Sequence, residues 1–146
     1  MRKEQDTKTL TQRYYRMEFI GAGMYNQLAS QCEKQNTKLA QRLRKVASDE
    51  YRHGLMFGKF YENHHQGSYS KGIWLFLGRM IANMMICIPF KQKIKKFSIA
   101  EAEAVAKLDR VFDSGEFENN PFLKCLKAIY KDELDHSKVY EEYYSN

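Results

Sequence analysis

The chain has 146 residues, of which 29% are charged, with a formal net charge of +6 and a mean hydropathy of −0.67. That length suits one domain with a substantial buried core, and the polar start MRKEQDTKTLTQR is not a secretory leader, so a cytoplasmic protein is expected. Cys32, Cys87 and Cys125 form no C-x-x-C pair, which excludes a zinc ribbon or a rubredoxin-type iron site and leaves buried, reduced thiols as the simplest expectation. The basic runs Lys91/Lys93/Lys95/Lys96 and Arg42/Arg44/Lys45 accompany no DNA- or RNA-binding motif. They are expected to be solvated helix faces rather than a nucleic-acid site, with attraction to an anionic membrane surface as the alternative.

Helical periodicity organises the rest. A first helix is expected from about Thr9 to Lys34, with Tyr14, Glu18, Ala22, Tyr25 and Ala29 on one stripe. After the polar break Gln35-Asn36-Thr37, a second stripe comprises Leu39, Leu43, Val46, Glu50, His53, Phe57 and Tyr61, and so short a link makes the two helices antiparallel neighbours. A crossover of about 63–89 follows, containing the apolar stretch IWLFLGRMIANMMICI at 73–88. Pro89 suits the start of a third helix, striped by Phe90, Ile94, Phe97, Glu101, Val105, Leu108 and Phe112. A loop around Ser114-Gly115-Glu116 and Asn119-Asn120-Pro121 precedes the last stripe: Phe122, Leu126, Ile129, Glu133, His136, Tyr140 and Tyr144.

The two halves repeat. Glu18 to Glu101, Glu50 to Glu133 and His53 to His136 are each 83 positions apart. The same offset pairs Leu39/Phe122, Leu43/Leu126, Val46/Ile129, Phe57/Tyr140, Tyr61/Tyr144, Tyr14/Phe97 and Ala29/Phe112. Two copies of a helical hairpin joined by a long crossover is the economical architecture, within a single domain spanning 1–146.

All six ionisable residues fall where a helix should be apolar. Positions i and i+3 share a helix face, so Glu50/His53 and Glu133/His136 can each chelate an ion. Four carboxylates in a dry bundle repel one another and require protons or cations, and two divalent ions balance them. Mixed oxygen and nitrogen ligation suits iron or manganese better than zinc. Helix three also offers Glu103, but Glu103 aligns with Lys107 and Arg110, whereas Glu101 aligns with Phe97, Val105 and Leu108 and is the mate of Glu18. The expected ligands are therefore Glu18, Glu50, His53, Glu101, Glu133 and His136. Asp49 and Asp132 precede the motif glutamates and either orient a ligand histidine from an opposing helix or face solvent. Tyr25, two turns past Glu18, either places a hydroxyl near the site or packs in the core. Gly21 and Ala22 are explained by close helix packing, and His64 and His65 are expected to face water.

At these residues the chain resembles the ferritin-like di-iron carboxylate proteins, whose signature is Glu, E-x-x-H, Glu and E-x-x-H on four successive helices. The stretches EFIGAGMYNQLASQ and VASDEYRHGLMFGKFYE resemble the first hairpin of rubrerythrins, where a Tyr seven residues after the first Glu is typical. The resemblance implies an all-α, ferritin-like four-helix bundle whose long crossover carries an extra apolar helix. It also implies two iron ions, with manganese or zinc as alternatives, cycling with peroxide or dioxygen or oxidising ferrous iron, and Tyr25 as a catalytic residue. Rubrerythrins usually bring a rubredoxin-type electron source, which this sequence does not contain, so an external donor protein is implied. The apolar 73–88 segment is closer to the demethoxyubiquinone hydroxylase family, where such a segment helps engage the membrane, although that family's second apolar helix has no counterpart here. Quinone-type hydroxylation, iron storage and a non-redox metal scaffold are the competing readings.

At 16 residues with Arg79 and Asn83 inside it, the 73–88 segment is short of the about 20 apolar residues that span a bilayer. A buried cover helix or a contact between copies in a dimer is expected first, and peripheral membrane binding through 73–96 second.

Overall fold

The computed structural model describes residues 2–115 and 117–145, with side chains from Thr7 onward. Every regular element among them is helical: α1 (Arg2–Cys32), α2 (Thr37–His65), α3 (Gly72–Met84) with a 3-10 turn at Met85–Cys87, α4 (Phe90–Ser114), α5 (Phe122–His136) and α6 (Val139–Tyr144). The chain resolves into two compact units that meet in sequence between Met85 and Ile86. The position of Glu116 in the expected loop lies outside the described residues.

In the first unit α1 and α2 form the expected antiparallel hairpin. Asn36 caps α2, its Oδ1 accepting the Leu39 N–H at 3.0 Å, which satisfies one of the helix's orphan donors. Further along, Tyr14 stacks on Phe57 at 4.8 Å and Gln12 Nε2 donates to the Tyr61 hydroxyl at 2.7 Å. Leu28, Ala29, Leu39, Leu43, Val46 and Phe57 are fully buried between the two helices' ends.

Three boundaries differ from expectation, each for a local reason. Helix α1 begins by Arg2 rather than Thr9 and closes at Cys32. No Gly or Pro interrupts its first turns, and Thr11 donates its hydroxyl to the Thr7 carbonyl at 2.7 Å, so two threonines are buried without loss of hydrogen bonding. Helix α2 continues through His65, into the segment expected as crossover, and stops at Gln66, whose φ is +50°. There His64 stacks on Phe60 at 4.0 Å with Nδ1 at 3.0 Å from the Phe60 carbonyl, and His65 is half-buried rather than facing water.

Helix α1 also buries a second face that the single expected stripe omits. Tyr15, Phe19 and Gly23 are buried, and α3 runs parallel to α1 along that side, with Arg16 over the Trp74 ring at 5.1 Å near one end and Gln27 Nε2 donating to Asn83 Oδ1 at 3.0 Å near the other. The backbones approach closely because both helices supply glycine: a Cβ on Gly23 would strike the Leu75 carbonyl, and one on Gly78 the Ile20 carbonyl. This corrects the expectation of a buried cover helix. Only Gly78 and Ala82 of α3 are buried, while Ile73, Phe76, Leu77, Met80 and Met84 are exposed.

In the second unit α4 starts directly after Pro89 and ends where Gly115 takes φ +65°. It packs antiparallel to α5, with Tyr130 donating to Asp109 at 2.8 Å and Ser98 meeting Tyr140 far along the other way. The last stripe is not one helix. The ladder tightens at Ser137 and Lys138, Ser137 Oγ donating to the Leu134 carbonyl at 2.8 Å and the Lys138 N–H to the Asp135 carbonyl at 3.2 Å. The Tyr140 N–H, which a continuous helix would aim at His136, instead donates to Ser98 Oγ at 3.0 Å. The 83-residue repeat therefore holds up to the ligand histidines and lapses beyond them. Leu39, Leu43 and Val46 match Phe122, Leu126 and Ile129 in full burial, but Phe57 is buried where Tyr140 is only half-buried.

The cysteines depart from a uniformly buried set. Cys32 is buried and Cys125 half-buried, burial pushing both thiols up, whereas Cys87 is exposed in the 3-10 turn.

Because the obstacle at Gly78 is backbone, Gly78→Ala should destabilise the protein by about 1–3 kcal/mol in urea unfolding. Gly72→Ala, where nothing lies within 4 Å of the added carbon, should be neutral or slightly stabilising. Equal midpoints for the two variants would contradict the α1–α3 packing.

Candidate metal centre

The first unit gathers three of the candidate ligands. Glu18 projects from the middle of α1, and Glu50 and His53 sit one turn apart on α2, so the antiparallel hairpin brings them opposite one another. Ligand atoms of the three lie within 4.8 Å of each other. All are inside the protein: Glu18 is 6% exposed, Glu50 5% and His53 0%. The ring nitrogen of His53 that faces the carboxylates is Nδ1, 3.4 Å from Glu18 Oε2. A metal taken up between them would use the Nδ1 lone pair.

Two neighbours shape this pocket, and neither role was legible beforehand. A Cβ on Gly21 would sit 2.6 Å from Glu50 Oε2, so this glycine holds open the space the carboxylate occupies and does more than allow helices to approach. A Cβ on Gly54 would meet the Phe19 ring at 2.8 Å, so the missing side chain beside His53 seats an aromatic ring. Phe19 is wholly buried and stacks on Tyr69 at 6.1 Å. The available signal was the unusual presence of glycine in two helix interiors, where it costs about 1 kcal/mol relative to alanine.

The second unit repeats the set. Glu101 on α4 and Glu133 and His136 on α5 have ligand atoms within 4.8 Å of one another. Glu133 is 5% exposed and His136 1%, while Glu101 is half-buried. Glu103 is exposed and belongs to no such group among the described residues. The supporting backbone differs from the first unit. Helix α2 runs on well past His53, but α5 ends at His136, and Ser98, one turn before Glu101, holds the chain beyond the break.

The remaining candidates separate. Asp49 binds outward cations, Lys45 at 2.9 Å and Arg52 at 3.5 Å, consistent with its solvent-side reading. Asp132 is half-buried. Tyr25 is buried on α1, two turns past Glu18, and Ala22 is buried beside Gly21.

Each triad is two carboxylates and one imidazole, a hard donor set with no thiolate. Taking two carboxylates out of water within hydrogen-bonding range of each other is costly unless protons or cations accompany them. These residues fit a divalent metal chemically, and Gly21 leaves Glu50 the room to take its place among them.

Comparison with family models, with curated proteins and with solved structures finds no match to this chain.

Two substitutions test the assignment by equilibrium dialysis against ferrous or manganous ion. Gly21→Ala should weaken metal binding roughly 10–100-fold while the apoprotein still folds, since the methyl displaces Glu50. Glu101→Gln should lose bound metal where Glu103→Gln keeps it, and the reverse pattern would overturn the ligand choice.

Proposed function

We propose that the two triads together hold two iron ions, as in the ferritin-like di-iron carboxylate proteins, making the protein a di-iron oxidoreductase that reduces peroxide or dioxygen with electrons from an external donor. The observation that carries this reading is the duplicated, buried Glu plus E-x-x-H set, gathered within 4.8 Å in each unit. One E-x-x-H is commonplace on a helix. Two, each with its own in-facing glutamate at the same offset and each within an antiparallel helix pair, are what a dinuclear carboxylate site requires.

When bound, a pair of iron ions supplies two one-electron equivalents and open coordination positions. The chain's own contribution is positional. Glu18, Glu50 and His53 hold one ion, Glu101, Glu133 and His136 the other, and the four carboxylates offset the four positive charges of a ferrous pair. Phe19 and the surrounding core exclude water, which limits release of the ions and side reactions. Tyr25 supplies a buried hydroxyl able to donate a proton or hydrogen bond toward an oxygen ligand. Re-reduction falls to an external electron donor.

Anaerobic loading with ferrous ion followed by stopped-flow oxidation tests the proposal. Two irons per chain should bind, and hydrogen peroxide should oxidise them faster than dioxygen does. Tyr25→Phe should keep the iron and slow the oxidation roughly tenfold or more. Exclusive binding of zinc without redox chemistry would leave a static scaffold instead. Large mineralised assemblies would indicate storage, and conversion of an added lipid quinone a hydroxylase.

A further inference from the structure

Behind the triad of the first unit lies a run of aromatic rings that ligand binding does not account for. The residue after each triad member meets one ring, that of Phe19, which itself follows Glu18. Tyr51, after Glu50, lies edge-on to it at 5.6 Å, and a Cβ on Gly54, after His53, would strike it at 2.8 Å. From Phe19 the run leads outward. Tyr69 stacks on Phe19 at 6.1 Å with the rings 6° from parallel, and Tyr15 lies against Tyr69 at 5.7 Å. The Arg16 guanidinium then bridges the Tyr15 ring, at 5.8 Å, and the Trp74 ring, at 5.1 Å.

The order of residue types along this run is chemical as well as steric. Phe19 is wholly buried and Tyr15 nearly so, whereas Tyr69 and Trp74 are half-buried, and Trp74 is the chain's one tryptophan. Indole and phenol give up single electrons far more readily than aliphatic side chains do. Rings in van der Waals contact also couple electronically, so a phenylalanine can bridge two redox-active neighbours without being oxidised itself. The fold makes a concession to hold the run together: a Cβ on Gly58 would lie 2.5 Å from the Tyr69 ring, so a helix interior keeps a glycine to seat this tyrosine. All of these residues belong to the first compact unit.

We propose that Trp74, Tyr15 and Tyr69, with Phe19 as the last bridge, form a conduit that carries single electrons from the external donor at the surface to the Glu18, Glu50 and His53 triad. The inner end rests on the di-iron reading and the outer run does not. An electron drawn inward from Tyr69 is replaced from Tyr15, that of Tyr15 from Trp74, and that of Trp74 from the donor. Each phenol or indole releases its proton as its electron leaves and regains it as the electron returns. Every ring is therefore restored, and one electron passes inward per cycle, its final acceptor being the peroxide or dioxygen of the proposed reaction.

Pulse radiolysis of the metal-free full chain tests the outer run, with azidyl radicals used to oxidise the one indole. The indolyl absorption should decay in a first-order phase, independent of protein concentration, as the phenoxyl absorption of tyrosine rises. Tyr15→Phe should lose that phase while keeping the circular dichroism of the parent, and Tyr130→Phe, in the second unit, should retain it. An indolyl radical in the parent that decays only by encounters between molecules would overturn the conduit, as would an unchanged phase in Tyr15→Phe. The inner end is tested on protein loaded anaerobically with ferrous ion and given hydrogen peroxide with no donor present. Mass spectrometry should find oxidation at Trp74 in the parent and its loss in Tyr69→Phe, with the same iron bound to both. Equal oxidation of Trp74 in the two proteins, as diffusing oxidants would give, or none in either, would overturn the inner end. If no iron binds, the di-iron reading fails and the inner end with it, while the radiolysis result still decides the outer run.

Discussion

Burying carboxylates is the constraint on which this protein turns. Glu18, Glu50 and Glu133 are each at most 6% exposed, and the histidines beside them are essentially sealed. No helix face would evolve such groups for packing, because an apolar residue of similar size would stabilise the same position without the desolvation cost. The surrounding features follow from accommodating them. Gly21 gives up a side chain so that Glu50 has room, and Gly54 does so for Phe19. Each substitution weakens a helix interior, which is tolerable only because the hairpin is held elsewhere by a fully apolar layer.

The two triads are chemically alike and mechanically different. In the first unit both ligand helices continue beyond the site, and α1 is clasped on two sides, by α2 and α3. In the second unit α5 stops at His136, the chain is caught by Ser98, and Glu101 is half-buried rather than sealed. The repeat thus keeps the candidate ligands and the apolar residues that precede each E-x-x-H motif, Leu39/Phe122, Leu43/Leu126 and Val46/Ile129, while the segments after the histidines differ. Position 54 is glycine and position 137, its mate, is serine, whose hydroxyl competes for a helix carbonyl and helps end the ladder.

How much the sequence disclosed follows from what periodicity can report. Hydrophobic spacing locates a helix that buries one face, so α2, α4 and the in-facing acids and histidines were legible, and the offset of 83 chose Glu101 over Glu103 as the candidate. It reads poorly a helix buried on two faces, which is why Tyr15 and Phe19 escaped notice. It also cannot tell which way an apolar helix points when every side is apolar. In α3 the small residues decide that, since Gly78 allows a backbone contact that no larger residue permits. The break after His136 was hidden because Ser137 and Lys138 are ordinary in helices, and only the tertiary contact with Ser98 makes an interruption affordable. Cys87 was expected inside because cysteine usually is, but it falls in the 3-10 turn at the end of the outward-facing helix.

The central proposal is that the two triads together hold a pair of iron ions. X-ray absorption at the iron edge of the ferrous-loaded protein examines it most directly. The account predicts two irons per chain, first-shell scattering from oxygen and nitrogen only with about one imidazole per iron, and an iron–iron vector of about 3.5–4 Å. A single iron, sulfur in the first shell, or two irons without a resolvable iron–iron vector would contradict it.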